Sequence, residues 1–228
     1  MPRIGTRKLY HMLQTDFQQI DKIGRDKFFD ILRGNDLLIE RKKNFTRTTN
    51  SFHHFYKHRN LLYDKVIFRP NQCWVSDITY IRTLNGFVYL FLITDYYSRK
   101  IIGWNLSNSL SIEGGVLALE MALKQRKTNC ELIHHSDRGI QYCSKVYVGL
   151  LEKHHVSISM TEQNHCYENS KAERVNGILK DEFLLDSTFT NYIAAHKSVK
   201  QSITTYNELR PHWSLNLQTP EQVHEQVA

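Results

Sequence analysis

Three acidic side chains stand in sequence settings that suit metal-assisted chemistry on phosphodiesters. Asp77 lies in the run WVSDITYI, Asp137 in IHHSDRGIQYCS, and Glu173 in YENSKAERVNGILKDE. Asp77 and Asp137 are 60 positions apart, and 35 residues separate Asp137 from Glu173. Carboxylates are good Mg²⁺ ligands, and two such ions can activate an attacking oxygen and stabilise a leaving one. Spacing alone is a weak signal, because residues 71–228 contain 16 acidic side chains; the local settings of the three strengthen it.

The settings of the first two carboxylates are a strand and a strand end. Asp77 lies inside a β-like run with Val75 and Ile78, where an unpaired carboxylate would be costly to bury. Asp137 follows an apolar-to-polar switch and precedes Gly139, which predicts a loop at the carboxyl end of a strand. Simpler explanations exist for both: a strand aspartate that faces solvent, and an ordinary turn at Asp-Arg-Gly.

The third carboxylate is predicted to lie on a helix. At about 100° per residue, Glu173 and Lys180 point nearly the same way, with Asn176 and Gly177 beside them. That face would offer a metal-binding carboxylate, an amide, a glycine and a cation suited to a DNA phosphate. An amphipathic surface helix explains the same periodicity. Asn169 is predicted to organise the loop that enters this helix or to approach substrate, and helix capping explains it equally well.

The elements that would position these residues follow an α/β pattern from residue 72 onward. Apolar runs predict strands at 74–81, 87–94, 100–106, 131–135 and 156–160. Asn85-Gly86 is a turn signal that predicts a hairpin between the first two strands. Helices are predicted at 111–126, with Ser111 as its cap, at 145–153, from 170, and at 192–208. The order βββ-α-β-α-β-α is that of the ribonuclease H-like fold, a mixed five-stranded sheet flanked by helices, here predicted over residues 52–228.

The chain has a formal net charge of +7, and the basic excess lies at its start. Residues 1–70 contain 15 Lys and Arg against 7 Asp and Glu, whereas residues 71–228 contain 15 against 16. Such a field suits a phosphate backbone, although a solvated basic surface explains it equally well. Residues 6–33 predict two short helices, either a helix-turn-helix-like module or a small helical packing unit. Residues 41–51, RKKNFTRTTNS, predict a basic arm that ends a helical N-terminal segment.

Histidines and cysteines give no case for a structural zinc site or a disulfide framework. His53, His54 and His58 are close together, but no cysteine precedes Cys73, so a second nearby thiolate is missing. The four cysteines contain no C-x-x-C pair, which fits a reducing cytosol. No segment approaches the roughly 18 apolar residues of a membrane span, and no signal peptide is apparent.

Together these blocks resemble the catalytic core of DDE transposases and retroviral integrases. They are more closely similar to the second-frame transposase of family three of the bacterial insertion sequences. Glu168 and Arg174 stand where that family commonly has Asp and a small or polar residue. The resemblance extends in order from about Asn60 to Val223, through NLLYDKVIFRPNQCWVSDITYI, GFVYLFLITDYYSRKIIGW, HHSDRGIQYCS, SISMTEQNHCYENSKAERVNGILKDE and YNELRPHWSLNLQTPEQV.

The resemblance implies a DNA transposase in which Asp77, Asp137 and Glu173 bind two Mg²⁺ ions, for which Mn²⁺ can substitute. Water would first cleave a strand at the element end, and the freed 3′ hydroxyl would then attack another phosphodiester. Element ends and target DNA would be the substrates. The candidate DNA contacts are Lys180, Asn176, Asn169, Arg41, Lys42 and Lys43.

The resemblance also implies partners and a location. We expect a homo-oligomer on DNA, and an upstream-frame segment that supplies end recognition as a partner or as a frameshifted fusion. The chain is shorter at its front than the second frame of that family usually is, so we expect either a fragment or a chain that lacks its main specificity element. We expect it in the bacterial cytoplasm, associated with the nucleoid, with no membrane partner.

Two other functions stay open at this point. A metal nuclease of the ribonuclease H type would share the fold but cut an RNA–DNA hybrid and never join strands. A catalytically silent DNA-binding or regulatory protein would share the basic charge, although the intact set of three carboxylates argues against silence.

Overall fold

A mixed five-stranded sheet lies at the centre of the chain, in the strand order β3-β2-β1-β4-β5. The structure is a computed structural model that describes residues 1–14, 16–17, 23–39, 54–126, 130–162 and 168–226. The first three strands are antiparallel neighbours, and β4 and β5 join them in parallel. The strands are β1 Cys73–Thr83, β2 Gly86–Asp95, β3 Ile101–Ser107, β4 Ile133–Ser136 and β5 Ser157–Met160.

The predicted hairpin between the first two strands is confirmed. Thr83 of β1 pairs with Gly86 of β2, so Leu84 and Asn85 form the connecting turn. Gly86 has a φ of 116°, a conformation that residues with a Cβ rarely adopt. This turn sets a register that continues to the pair of Trp74 with Asp95.

Helices cover both faces of the sheet, as the ribonuclease H-like prediction requires, and this fold is confirmed. The helices of the described segments are α1 Thr6–Met12, α2 Arg25–Gly34, α3 Ile112–Gln125, α4 Lys145–Lys153, α5 Ser170–Glu182, α6 Tyr192–Leu209 and α7 Pro220–Glu225, with a 3₁₀ turn at Trp213–Leu215. None of the helices in these segments is both long and apolar enough to cross a membrane.

The apolar run of β2 contributes side chains to two hydrophobic cores, one on each face of the sheet, because successive strand residues point to opposite faces. Leu90 and Leu92 pack in the core between the sheet and helices α5 and α6. Phe91 and Ile93 pack in the second core, against α3 and α4. A continuous apolar run therefore marks a strand that is buried on both sides.

The start of the chain contacts the end of α5. The backbone N–H of Arg3 donates to the carbonyl of Glu182 over 3.1 Å, and Lys8 Nζ donates to a Glu182 carboxylate oxygen over 3.1 Å. Met1 packs against the core between the sheet and α5 and α6. Residues 40–53 lie outside the described part of the chain, so the predicted boundary at residue 52 stays a prediction.

The predicted N-terminal helix pair is present as α1 and α2, with Tyr10 and Phe17 packed on Phe28 at ring-centroid distances of 5.6 and 5.2 Å. Its helix-turn-helix character stays a prediction, because residues 18–22 are outside the described segments. Ser111 precedes α3 at the expected position, but its side chain makes no capping hydrogen bond to the helix backbone. The predicted side-chain cap is therefore absent at this helix.

We expect Gly103→Ala to destabilise the chain by about 1–3 kcal/mol, because the interface between β3 and α3 has no room for a methyl group. A Cβ at Gly103 would collide with the carbonyl oxygen of Ala118 and lie 2.9 Å from the Cβ of Ala122. Gly149, inside α4, has no heavy atom within 4 Å of the point that a Cβ would occupy. Gly149→Ala should therefore stabilise by roughly 0.5–1 kcal/mol. Urea unfolding of both variants measures the contrast, and a Gly103→Ala protein as stable as wild type would contradict this packing.

Candidate active site

Asp77 lies in the middle of β1, just beyond the stretch in which β1 pairs with β4. That pairing covers only Cys73 to Val75 on the β1 side and ends two residues before Asp77. The Asp77 carboxylate is half-buried and accepts two hydrogen bonds. Asn176 Nδ2 donates to its Oδ2 over 2.7 Å, and the backbone N–H of Ile78 donates to its Oδ1 over 2.9 Å. Helix α5 therefore orients the carboxylate on the neighbouring strand.

Asp137 directly follows β4, at the carboxyl end of a strand as predicted. Its Oδ1 accepts the backbone N–H of Gly139 over 2.9 Å. A Cβ on Gly139 would lie 2.9 Å from the same oxygen, so this turn needs a glycine for its close approach to the carboxylate. Because β1 and β4 are parallel neighbours, the end of β4 brings Asp137 towards Asp77.

The electrostatics show that the three carboxylates are close enough to repel one another. Burial, and next the charge of Asp137, raise the pKa of Asp77 to about 7, against the opposing hydrogen bond from Asn176. Glu173 lies in the first turn of α5, and its pKa is raised by burial and then by Asp137. Concentrated negative charge of this kind is relieved by a bound cation.

The carboxylates do not form a closed set of metal ligands. Glu173 is an exposed side chain. Within the described segments, no three His, Cys, Asp or Glu side chains converge closely enough to hold a metal ion. The residue types and the mutual repulsion fit a divalent cation, but ligation by all three would require Glu173 or its neighbours to shift.

Lys180 and Asn169 flank the carboxylates from α5. The pKa of Lys180 is lowered by burial, while the charge of Asp77 acts in the opposite direction, so the ammonium lies within electrostatic reach of Asp77. Asn169 precedes α5 and makes no side-chain cap to the helix. Its Nδ2 instead donates to the backbone oxygen of Ser76 over 3.1 Å, which ties the start of α5 to the strand beside Asp77. The side chain therefore organises the helix entry instead of capping it.

Of the six candidate DNA contacts, three are at this site and three are not described. Lys180 and Asn176 lie on the side of α5 near Asp77, and Asn169 directly precedes that helix. The amide of Asn176 is committed to Asp77 through its nitrogen, and its buried oxygen has no hydrogen-bond partner in the described segments. The other three, Arg41, Lys42 and Lys43, lie outside the residues that the structure describes, so their role stays a prediction.

Ser76 and Tyr147, whose roles the sequence does not predict, form a buried polar cluster with His134 beneath Asp77. His134 Nε2 lies 2.6 Å from Ser76 Oγ and 3.0 Å from the hydroxyl of Tyr147. Burial, and next His135, lower the pKa of His134 to about 3, so the ring is neutral at physiological pH. This cluster supports the strand residue next to Asp77 from the opposite face of the sheet. The available signal is a serine at a buried position of an apolar strand.

Comparison with known protein families and sequences gives consistent results. One Integrase core domain family matches residues 68–166, and a second family with the same description matches residues 154–220. A Shigella sonnei protein described as "Insertion element IS600 uncharacterized 31 kDa protein" is 35% identical over 234 residues, which cover 99% of this chain and 86% of that protein. "Transposase InsF for insertion sequence IS3fB" of Escherichia coli (strain K12) is 35% identical over 198 residues, covering 86% of this chain and 68% of the relative.

Solved structures share the fold at low sequence identity. The HTLV-2 integrase catalytic core domain in complex with magnesium, in its trimeric form, superposes with a TM-score of 0.55 at 20% identity, covering 73% of this chain and 99% of that one. The simian T-cell lymphotropic virus intasome in complex with PP2A regulatory subunit B56 gamma gives a TM-score of 0.57 at 18% identity, covering 96% of this chain and 74% of that one. The chain therefore belongs to the transposases of IS3-family insertion sequences and carries an integrase core domain with a ribonuclease H-like fold.

Proposed function

We propose that the chain carries out the chemical steps of DNA transposition, with Asp77, Asp137 and Glu173 as the catalytic carboxylates. Water attacks a phosphodiester at the element end, and breaking the bond to the 3′ oxygen leaves a 3′ hydroxyl and a 5′ phosphate. That hydroxyl then attacks the phosphorus of a second phosphodiester. The new bond joins the strands, and the 3′ oxygen of the attacked strand is displaced and leaves as a 3′ hydroxyl. The observation that carries the proposal is geometric: Asp77 and Asp137 each lie two residues beyond Val75 and His135, which are paired in the parallel strands β1 and β4. The charge of Asp137 also raises the pKa of Glu173, which supports including Glu173 in the set.

The same residues are proposed to hold divalent metal, Mg²⁺ or Mn²⁺, as two ions. When bound, the ions would activate the attacking oxygen and neutralise charge at the leaving oxygen. Asp77 and Asp137 are positioned by the hydrogen bonds from Asn176 and Gly139, so their carboxylates are oriented before metal binds. Glu173 is exposed and is the ligand that we expect to move.

DNA is proposed to run along the face of α5 that carries Glu173 and lies beside Asp77. Lys180 is held near Asp77 and is suited to neutralise a phosphate. The basic residues Arg41, Lys42 and Lys43 are proposed as further phosphate contacts. A homo-oligomer on the element ends, and an upstream-frame segment that recognises those ends, are part of the same proposal.

The experiment is an incubation of the chain with duplex element ends, target DNA and Mg²⁺, followed by sequencing of joined products. Joined strands support the transposase, since a nuclease of the ribonuclease H type would only cut, and would prefer an RNA–DNA hybrid offered in parallel. Binding without cutting or joining in millimolar metal would leave the silent DNA-binding protein as the better description.

We expect Asn176→Ala to weaken the affinity for Mn²⁺ by roughly 10–100-fold, because loss of a hydrogen bond that orients a ligating carboxylate has an effect of that size. Asn207→Ala is the matched control. Asn207 is also a buried helical amide, but it bonds the backbone of Ile101, away from the carboxylates. Isothermal titration of Mn²⁺ into both folded variants measures the difference. An Asn176→Ala protein with the metal affinity of the control would show that the bond to Asp77 does not support a metal site.

A further inference from the structure

A cavity of about 380 Å³ lies on the other side of α5, between that helix, the first helix and the segment that follows α6. Its lining contains five cations and no carboxylate among the described residues. The cations come from five places in the sequence: Lys8, Arg99, Lys171, Arg174 and Arg210. We call this feature the basic cavity.

In the described segments, two of the five cations share one carboxylate, and the other three have none within salt-bridge distance. Glu182 accepts from Arg210 over 2.6 and 2.7 Å and from Lys8 over 3.1 Å. In the described segments, no carboxylate lies within 4.0 Å of a side-chain nitrogen of Arg99, Lys171 or Arg174. The basic cavity therefore has a positive excess that its own walls leave uncompensated.

Lys171 lies close to a second cation of the basic cavity, Arg99. Burial, and next the charge of Arg99, lower the pKa of Lys171 to about 8. The ammonium lies 3.6 Å from the ring centroid of Tyr96, which holds it in place without neutralising it. An anion in the basic cavity would relieve this repulsion.

Unpartnered polar atoms in the wall give a second, independent indication of a ligand. His212 is 7% exposed and lines the cavity, yet its Nε2 has no hydrogen-bond partner among the described residues. One terminal nitrogen of Arg99 is likewise buried without a partner in those segments. Buried polar atoms of this kind are expensive, so a ligand that satisfies them would bind favourably.

An aromatic side chain at the cavity adds a feature that free anions do not need. Trp213 lines the cavity and is 57% exposed. Sites for single-stranded nucleic acid combine cationic grooves with aromatic side chains on which bases stack. We propose that the basic cavity binds a phosphate of a DNA backbone, with Trp213 placed to stack on an adjacent unpaired base.

This phosphate would be separate from the DNA segment at the carboxylates. At about 100° per residue, Lys171 and Arg174 point to the side of α5 roughly opposite Asn176 and Lys180. Helix α5 would then contact nucleic acid on two faces. One face would lie at the catalytic carboxylates, and the other would bind a backbone phosphate. The inference rests on the proposed function for its ligand, because the substrate there is DNA.

The test compares the full chain with a Lys171→Gln/Arg174→Gln double variant and a Lys124→Gln control, which removes an exposed charge from α3 on the opposite side of the sheet. Fluorescence anisotropy with a labelled single strand and a labelled duplex, in EDTA, measures binding at two salt concentrations. We expect the double variant to bind the single strand about tenfold more weakly at low salt, with a salt slope lower by roughly one unit. The control should stay within about twofold of wild type.

Two further variants and a competitor test the basic cavity separately from the stability of the double variant. The single variant Arg174→Gln alters an exposed side chain, so it reports on the cavity even if the double variant proves unstable in a thermal melt. Trp213→Ala should weaken single-strand binding more than duplex binding, since only unpaired bases stack. Inorganic phosphate is tested as a competitor against sodium chloride of equal ionic strength.

Each outcome supports or overturns the inference. Double and single variants that bind both DNAs like the control overturn it, whether or not wild type cleaves DNA in Mg²⁺. If the variants lose the binding of inorganic phosphate but keep the DNA affinity of wild type, the cavity is a site for the free anion. That result also overturns the inference. If the variants bind DNA more weakly than wild type, while wild type binds DNA but never cleaves it, DNA binding at the basic cavity is supported. That result counts only against the chemistry proposed for the carboxylates.

Discussion

Asp77→Asn, Asp137→Asn and Glu173→Gln are each expected to lower DNA cleavage and strand joining by roughly a thousandfold or more. Each amide is nearly isosteric with the acid that it replaces but is neutral and a poorer ligand for a hard cation. The charge of Asp137 raises the pKa of both Asp77 and Glu173, so each replacement removes one member of a single unit. Single-turnover assays with millimolar Mg²⁺ or Mn²⁺ measure the effect.

The same replacements should not cost stability, which separates this site from a structural cluster. The pKa of Asp77 is raised by burial and by Asp137, so its charged form is disfavoured in the folded chain near neutral pH. We therefore expect Asp77→Asn to melt at the same or a higher temperature than wild type. Glu120→Gln, an exposed acid on α3, is the control and should retain activity. Substantial cleavage by any of the three variants would contradict the assignment of that residue.

Glu182→Gln is expected to destabilise the chain by about 3–5 kcal/mol, because it leaves a buried guanidinium without its counter-charge. The side chain of Arg210 is 2% exposed, and its two bonds to Glu182 measure 2.6 and 2.7 Å. Glu182 also holds Lys8, so one carboxylate joins the first helix, α5 and the end of α6. Asp30→Asn breaks an exposed pair with Arg33 and should cost no more than about 1 kcal/mol.

The stability that Glu182 contributes should depend on pH in a definite direction. Burial would raise the pKa of Glu182, but the hydrogen bond and charge of Arg210, followed by Lys8, outweigh it and lower the pKa. The stabilisation is therefore present above the unfolded pKa of glutamate, about 4.3, and is lost as the pH falls through the lower folded value. Urea unfolding across this acid range should show a steeper loss for wild type than for Glu182→Gln. Parallel curves would mean that the carboxylate is not linked to folding.

The elements can be predicted from sequence because their signals are local. The two apolar runs and the Asn85-Gly86 turn between them define the hairpin of β1 and β2, and the spacing of apolar residues defines α4 and α6. The settings of Asp77 and Asp137 are likewise local, one within a strand and one at a strand end. Local patterns of this kind follow from backbone geometry, which acts over a few residues.

The contacts between side chains at the site cannot be predicted from local sequence in the same way. The bond from Asn176 to Asp77 joins residues 99 positions apart, and nothing in either local sequence identifies the partner. The helical face of Asn176 predicts a DNA contact, whereas its nitrogen donates to the carboxylate of Asp77 on β1. The basic cavity draws its charges from segments as distant as Lys8 and Arg210, so only the tertiary arrangement assembles it.

The most direct test of the account is a diffraction measurement on crystals of the chain grown or soaked with Mn²⁺, with anomalous scattering used to locate the metal. We predict anomalous density in contact with the carboxylates of Asp77 and Asp137, with Glu173 turned towards it from its exposed position, and loss of that density in Asp77→Asn crystals. Mn²⁺ bound only at other places, in crystals where this site is open to solvent, would contradict the claim that these three residues form the catalytic metal site.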